Sequence, residues 1–170
     1  MALPDKPTPD EICCMAPHVD HEMWRLLELG HNLRRRSRRL PDSLIRGLRV
    51  AYAGHARSLL EFFYDGRPGP RHGKRERKNS DIDVWLSDYL GSQSGTRTWE
   101  ATDKARLYDA DKLLGHLSTG RVSRTRLPSW GTRRDRRRFG RIIREVMQRV
   151  PNSDKVFPRT ARSYEKMPGG

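Results

Sequence analysis

Between Asp42 and Asp65 the chain reads DSLIRGLRVAYAGHARSLLEFFYD, and its large side chains return every three or four positions. Leu44, Leu48, Tyr52, His55, Leu59 and Phe62 or Phe63 fall on one side of a helix drawn through this run. That period predicts a long helix at the centre of a helical domain. Other segments repeat the pattern. Met23, Trp24, Leu26, Leu27, Leu29 and Leu33 predict a helix capped by Asp20 and running to about Arg36. A shorter one precedes it. Thr8-Pro9-Asp10-Glu11 has a capping hydroxyl, a proline in the first turn and a glutamate three residues after the cap. Pro17 is expected to stop that helix, because proline has no N–H to donate.

Further on, Ser80-Asp81-Ile82-Asp83 reads as a second capping box, opening a short helix to Leu90-Gly91. A helix from about Trp99 to Leu117 follows. Thr132 with Asp135 opens the last one, where Phe139, Ile142, Ile143, Val146, Met147 and Val150 keep the i, i+3, i+4, i+7 rule until Pro151. No segment alternates as a strand does. The expected fold is therefore all-α, a single-domain helical bundle over residues 1–150. It has four main helices plus a short N-terminal helix, with a core from residues 44–63, 101–117 and 139–150. Residues 151–170 carry Pro158, Pro168 and a Gly-Gly end, and predict a mobile C-terminal tail.

The central helix has a second stripe of small residues, Gly47, Ala51, Gly54 and Ser58. A glycine inside a helix costs about 1 kcal/mol relative to alanine. Two on one stripe predict close approach of another backbone, either within the chain or from a second copy in a homodimer.

Charge changes the picture most. The chain of 170 residues has a net charge of +14, with 28 arginines and 7 lysines against 21 acids. Such a field attracts polyanions, of which nucleic acid is the commonest. Arg34, Arg35, Arg36, Arg38 and Arg39 crowd a helix C-terminus, where the helix dipole favours cations. Arg133, Arg134, Arg136, Arg137 and Arg138 crowd a helix N-terminus, where it disfavours them, so that cluster points to a ligand. Arg71, Lys74 and Arg75 lie in the basic loop Gly66–Asn79, and Arg121, Arg124 and Arg126 in a second arginine-rich loop. These residues, with Arg133, Arg134 and Arg137, are the expected phosphate contacts. Trp130 among them is either a base-stacking platform or a core residue. The expected partner is nucleic acid, RNA before DNA.

Cys13 and Cys14 are adjacent and form no disulfide framework, which fits a reducing, cytoplasmic setting. No apolar run approaches the length of a membrane span, and no membrane partner is expected. Cys13, Cys14, His18 and His21 are too compact for the usual zinc spacing. The cysteines read instead as small buried hydrophobes. Asp81 and Asp83 match the Ser-Asp-x-Asp pattern of small nucleotidyltransferases, whose aspartates hold magnesium. They lack that family's upstream Gly-Ser turn, and the capping box explains the same letters. No metal or cofactor is expected.

Arg25–His31, Arg49–His55 and Arg67–His72 have the Arg-x(4–6)-His spacing of HEPN ribonucleases, a spacing that an arginine-rich chain also meets by chance. His55-Ala56-Arg57-x-Leu59-Leu60-Glu61-Phe62-Phe63, the basic loop, the Asp-Ile-Asp helix and Lys112-x-x-x-His116-Leu117 together resemble HEPN-like bacterial helical proteins over about residues 40–120. The resemblance implies a small helical RNA-associated protein with a toxin or defence role. If it is a nuclease, Arg49 and His55 are the catalytic pair. Set against this, His55 lies on the apolar stripe and Val50 follows Arg49. A core histidine satisfies the same pattern.

Overall fold

The computed structural model describes residues 7–36, 39–64, 86–90, 101–115 and 129–165. It is all-α. Seven helices occur among the described residues, rather than four and a short one: α1 (Pro9–Arg36), α2 (Asp42–Phe63), α3 (Leu86–Leu90), α4 (Ala101–Gly115), α5 (Arg133–Arg149), α6 (Ser153–Val156) and α7 (Pro158–Glu165).

The capping box at Thr8 forms as expected: Glu11 accepts from the Thr8 N–H at 2.7 Å, and the Thr8 hydroxyl accepts from the Glu11 N–H. Pro17, however, does not end the helix. α1 runs through it as one 28-residue element. Proline removes one rung of the ladder. Against that loss, Ala16 just before Pro17 is buried together with Val19, Met23, Leu26 and Leu33 after it. Breaking the helix at Pro17 would divide that buried set. Pro17 itself, like Cys13 and Cys14, faces solvent, so the cysteines are not core residues.

Asp20 is also not an N-cap. It is 2% exposed, and it accepts the backbone N–H groups of Arg159 and Thr160 at 3.0 and 2.9 Å. Its own helix is already under way; the helix it caps is α7. The segment after Pro151, read from its prolines as a tail, is helical through Glu165. Phe157, between α6 and α7, is fully buried and meets Tyr89 of α3 at 5.5 Å between ring centroids.

α2 buries Tyr52, Ala53, Ala56, Leu59, Leu60, Phe62 and Phe63. Leu44, expected on the apolar side, is 55% exposed. Tyr52 meets Phe139 of α5 edge to face, joining the two helices. The last long helix follows its pattern: Phe139, Ile142, Ile143 and Val146 are buried, and the Thr132–Asp135 capping box closes in both directions.

Two buried carboxylates join α4 to α5. Asp103 is held by the Tyr64 hydroxyl and by Arg138, whose NH2 donates at 2.6 Å. Asp135 accepts from Arg106 at 2.7 Å. The guanidinium of Arg106 also lies over the Trp130 ring, 4.8 Å from its centroid.

Candidate nucleic-acid interface

α5 is two-sided. Its buried side faces the core, and Arg133, Arg134, Arg137, Arg141 and Arg144 are exposed on the other. At about 100° per residue, Arg133, Arg137, Arg141 and Arg144 fall within about 80° of one another, along about 17 Å of helix. Arg133, Arg134, Arg137 and Arg141 make no ion pair with a described residue. The neighbouring carboxylates are spoken for. Asp135 points inward to Thr132 and Arg106, and Glu145 pairs with Arg149 at 3.5 Å. The stripe therefore presents guanidinium groups with their donors open, the form that grips phosphate oxygens.

Arg136 and Arg138 belong to the same run of letters and have another role. Arg138 is the partner of Asp103. The side chain of Arg136 lies against α1, so close that a Cβ on Gly30 would stand 3.3 Å from its Cδ, and its NH1 donates to the Gly131 carbonyl. Burial lowers the pKa of Arg136, and Arg34 and Arg133 push it the same way. One guanidinium thus feels both the end of α1 and the start of α5. Arg34 of the first cluster and Arg133 of the second both act on it, which their positions in sequence did not reveal.

The far end of the stripe reaches α7. Arg144 lies over the Tyr164 ring at 5.9 Å, and the Tyr164 hydroxyl donates to the Gly140 carbonyl at 2.7 Å. Beyond it, Arg159, Arg162 and Ser163 of α7 and Trp24 of α1 line a concavity of about 320 Å³.

Of the residues expected to contact nucleic acid, Arg133, Arg134 and Arg137 are exposed as required. Trp130 is not: it is 1% exposed, under Arg106, and has no face free for a base. Arg71, Lys74, Arg75, Arg121, Arg124 and Arg126, together with Asp81 and Asp83, lie outside the described residues. Arg141, Arg144, Arg159 and Arg162 were missed. A helical wheel through residues 133–148 finds the first two; the α7 pair needed the tertiary fold.

No hydrogen bond joins Arg49 to His55 within the chain. Six residues on one helix separate them by about 120° around and about 9 Å along its axis. Arg49 faces solvent. His55 is not a core histidine either: its side chain is 24% exposed, and its Nδ1 lies 2.7 Å from Glu22 Oε2. No group of three or more His, Cys, Asp or Glu side chains among the described residues has the arrangement of a metal site. No described helix is long and apolar enough to cross a membrane.

The small-residue stripe of α2 brings no described backbone close; its one described glycine contact is with a side chain of α4. The atom nearest to a Cβ on Gly54 is a Leu114 methyl at 3.9 Å, and no described atom comes within 4 Å of one on Gly47. No protein-family profile matches the chain, and neither a curated protein nor a solved structure is significantly similar to it.

Proposed function

We propose that the protein binds nucleic acid through the outward arginine stripe of α5 and the end of α1 that adjoins it. The observation that carries this reading is the division of labour within Arg133–Arg138. Arg136 and Arg138 are consumed by the fold, whereas Arg133, Arg134 and Arg137 stand outward at a helix N-terminus that disfavours cations. A bound polyanion relieves their mutual repulsion. A single strand comes before a duplex because a half-buried indole, Trp24, stands beside the arginines of α7. Single strands use such rings for unstacked bases.

The test is a titration with labelled single-stranded RNA, and with DNA of the same sequence, at low and near-physiological salt. The reading expects RNA binding that weakens steeply with salt, as counterion release requires. Absence of binding at low salt would overturn it.

A second reading concerns α2. Leu44 and Val50 are 55% and 38% exposed on an uncharged face shared with Gly47, Ala51 and Gly54. That face suits a second copy of the chain. Gly47→Arg adds a side chain where the described protomer has open space, so it should split a homodimer without unfolding it. A wild-type protein that stays monomeric at high concentration removes this reading.

A further inference from the structure

The concavity at the far end of the stripe has a composition of its own. Its wall is Trp24 of α1 and the α7 face carrying Arg159, Arg162 and Ser163. Arg159 and Arg162 are three residues apart on one helix, hence neighbours on its surface. The first N–H groups of α7 play no part here, because Asp20 takes them from below. Positive charge in the pocket therefore comes from side chains.

The Arg159 guanidinium lies 3.4 Å from His21 Nδ1. The contact sets the imidazole beside Arg159, outside the pocket lining. Of the α1 acids near it, Asp20 is spent on the α7 N–H groups and Glu22 is turned to His55 on α2. The His55 ring stands 6.3 Å from that of His21, and the partnership holds the carboxylate away from the pocket wall. The described lining is two guanidiniums, an indole and a hydroxyl that donates to the Arg159 carbonyl, with no carboxylate among the described lining residues.

We propose that this pocket takes a single nucleotide bearing a phosphomonoester. Arg159 and Arg162 hold the phosphate, and the base displaces a guanidinium from the Trp24 ring, which Arg25 overlies at 4.7 Å and Arg159 at 5.8 Å. The volume, about 320 Å³, sits at the small end of the range for ligand sites, about 300–1,000 Å³. It suits one nucleotide and excludes a duplex. Two neighbouring guanidiniums match a terminal phosphate, with charge near −2 and three free oxygens, better than an internal diester. Two sources supply this chemistry, a free mononucleotide and the phosphorylated end of an RNA strand. The strand-end source rests on the nucleic-acid reading above; the α5 stripe reaches α7 at Tyr164, on another side of that helix from the pocket wall.

The experiment uses the full chain and four probes: adenosine monophosphate by calorimetry, and one labelled RNA with a 5′-phosphate, a 3′-phosphate or hydroxyls at both ends, by fluorescence polarisation. The mononucleotide should bind, and one phosphorylated end should tighten RNA binding about tenfold, the scale of one or two charge-assisted hydrogen bonds. Arg159→Gln with Arg162→Gln should abolish both effects. Ser163→Asp, which leaves every arginine in place and puts a carboxylate in the pocket, should do the same. Arg137→Glu with Arg141→Glu should weaken all three RNAs alike and leave the mononucleotide unaffected. Mononucleotide binding without RNA binding sustains the pocket and removes the α5 interface. RNA binding indifferent to its ends, with no mononucleotide binding, removes the pocket and leaves the interface standing. Retention of the end preference in both pocket variants also overturns the assignment.

Discussion

Asp20 Oδ1 and the backbone nitrogen of Thr160 are 2.9 Å apart across 140 positions of sequence. This contact fastens the C-terminal helix to the first. Oδ2 takes the Arg159 N–H, and the Thr160 hydroxyl donates back to the Asp20 carbonyl at 3.3 Å. Asp20→Ala leaves two N–H groups of a buried helix end without acceptors. The expected loss is about 2–4 kcal/mol in urea unfolding, with α7 amides exchanging first. Asp20→Asn keeps one acceptor oxygen and should recover part of it. A loss under about 0.5 kcal/mol, the scale of a neutral surface change, would show that α7 is held by packing alone.

The sequence carried the elements whose stabilising pattern is local. The stripe from Phe139 to Val150 and the capping boxes at Thr8 and Thr132 lie within a few residues of their partners, and they appear as read. What was misread depends on partners far away. Asp20 looks like a cap for the residues that follow it, and it serves residues 159 and 160. Trp130 looks like an aromatic among arginines, and Arg106 covers it. His55 looks apolar by its register, and Glu22, 33 positions earlier, gives it a polar setting. Pro17 was read as a breaker because propensity is local, whereas the burial on both sides that overrides it is tertiary. The candidate site divides the same way. The α5 arginines are legible on a wheel; their proximity to Arg34 and to α7 is not.

The pair Asp103–Arg138 allows a sharper test of which arginines are structural. Asp103 is 1% exposed, and Arg138 neutralises it. Arg138→Met strands a buried carboxylate and should cost about 3–5 kcal/mol. Adding Asp103→Leu should restore most of that stability, because the charge no longer needs a partner. Arg137→Met, one residue away and exposed, should leave the urea midpoint nearly unchanged. Equal losses at 137 and 138 would erase the distinction between them.

Gly131 is required by conformation. Its φ is +70°, and a Cβ there would stand 2.3 Å from Leu33 Cδ1. Gly131→Ala meets both the left-handed backbone penalty, about 1–2 kcal/mol, and a clash with a buried leucine. The expected fall in the thermal midpoint is several degrees. Gly140→Ala, with open space around its Cβ position and an ordinary helical backbone, should be neutral or mildly stabilising. A reversed order would place the strain elsewhere.

Alkaline pH should release α7. Burial raises the Tyr164 pKa from the usual 10.0 to about 12, with Arg144 opposing. The folded state holds this proton longer than the unfolded chain does. The contribution of the neutral phenol is therefore complete below pH 10 and lost as pH rises toward 12. Tyr52 and Tyr89 are shifted in the same direction, chiefly by burial. Urea unfolding followed across this window should show falling stability, with a shallower fall in Tyr164→Phe. A parallel fall in the variant would show that Tyr164 is not one of the groups responsible.

The outward α5 stripe stands or falls on the salt slope of RNA binding. The slope of log affinity against log salt is measured for the wild type, for Arg137→Glu with Arg141→Glu, and for Arg46→Glu with Arg49→Glu on exposed α2. The last pair changes net charge equally and lies off the stripe. Each lost phosphate contact should lower the magnitude of the slope by roughly 0.7 on a single strand. The α5 pair should therefore lower it by about 1.4 and the α2 pair by little. Equal slopes in the two variants would mean that the protein attracts RNA by net charge alone, and that α5 is not the binding face.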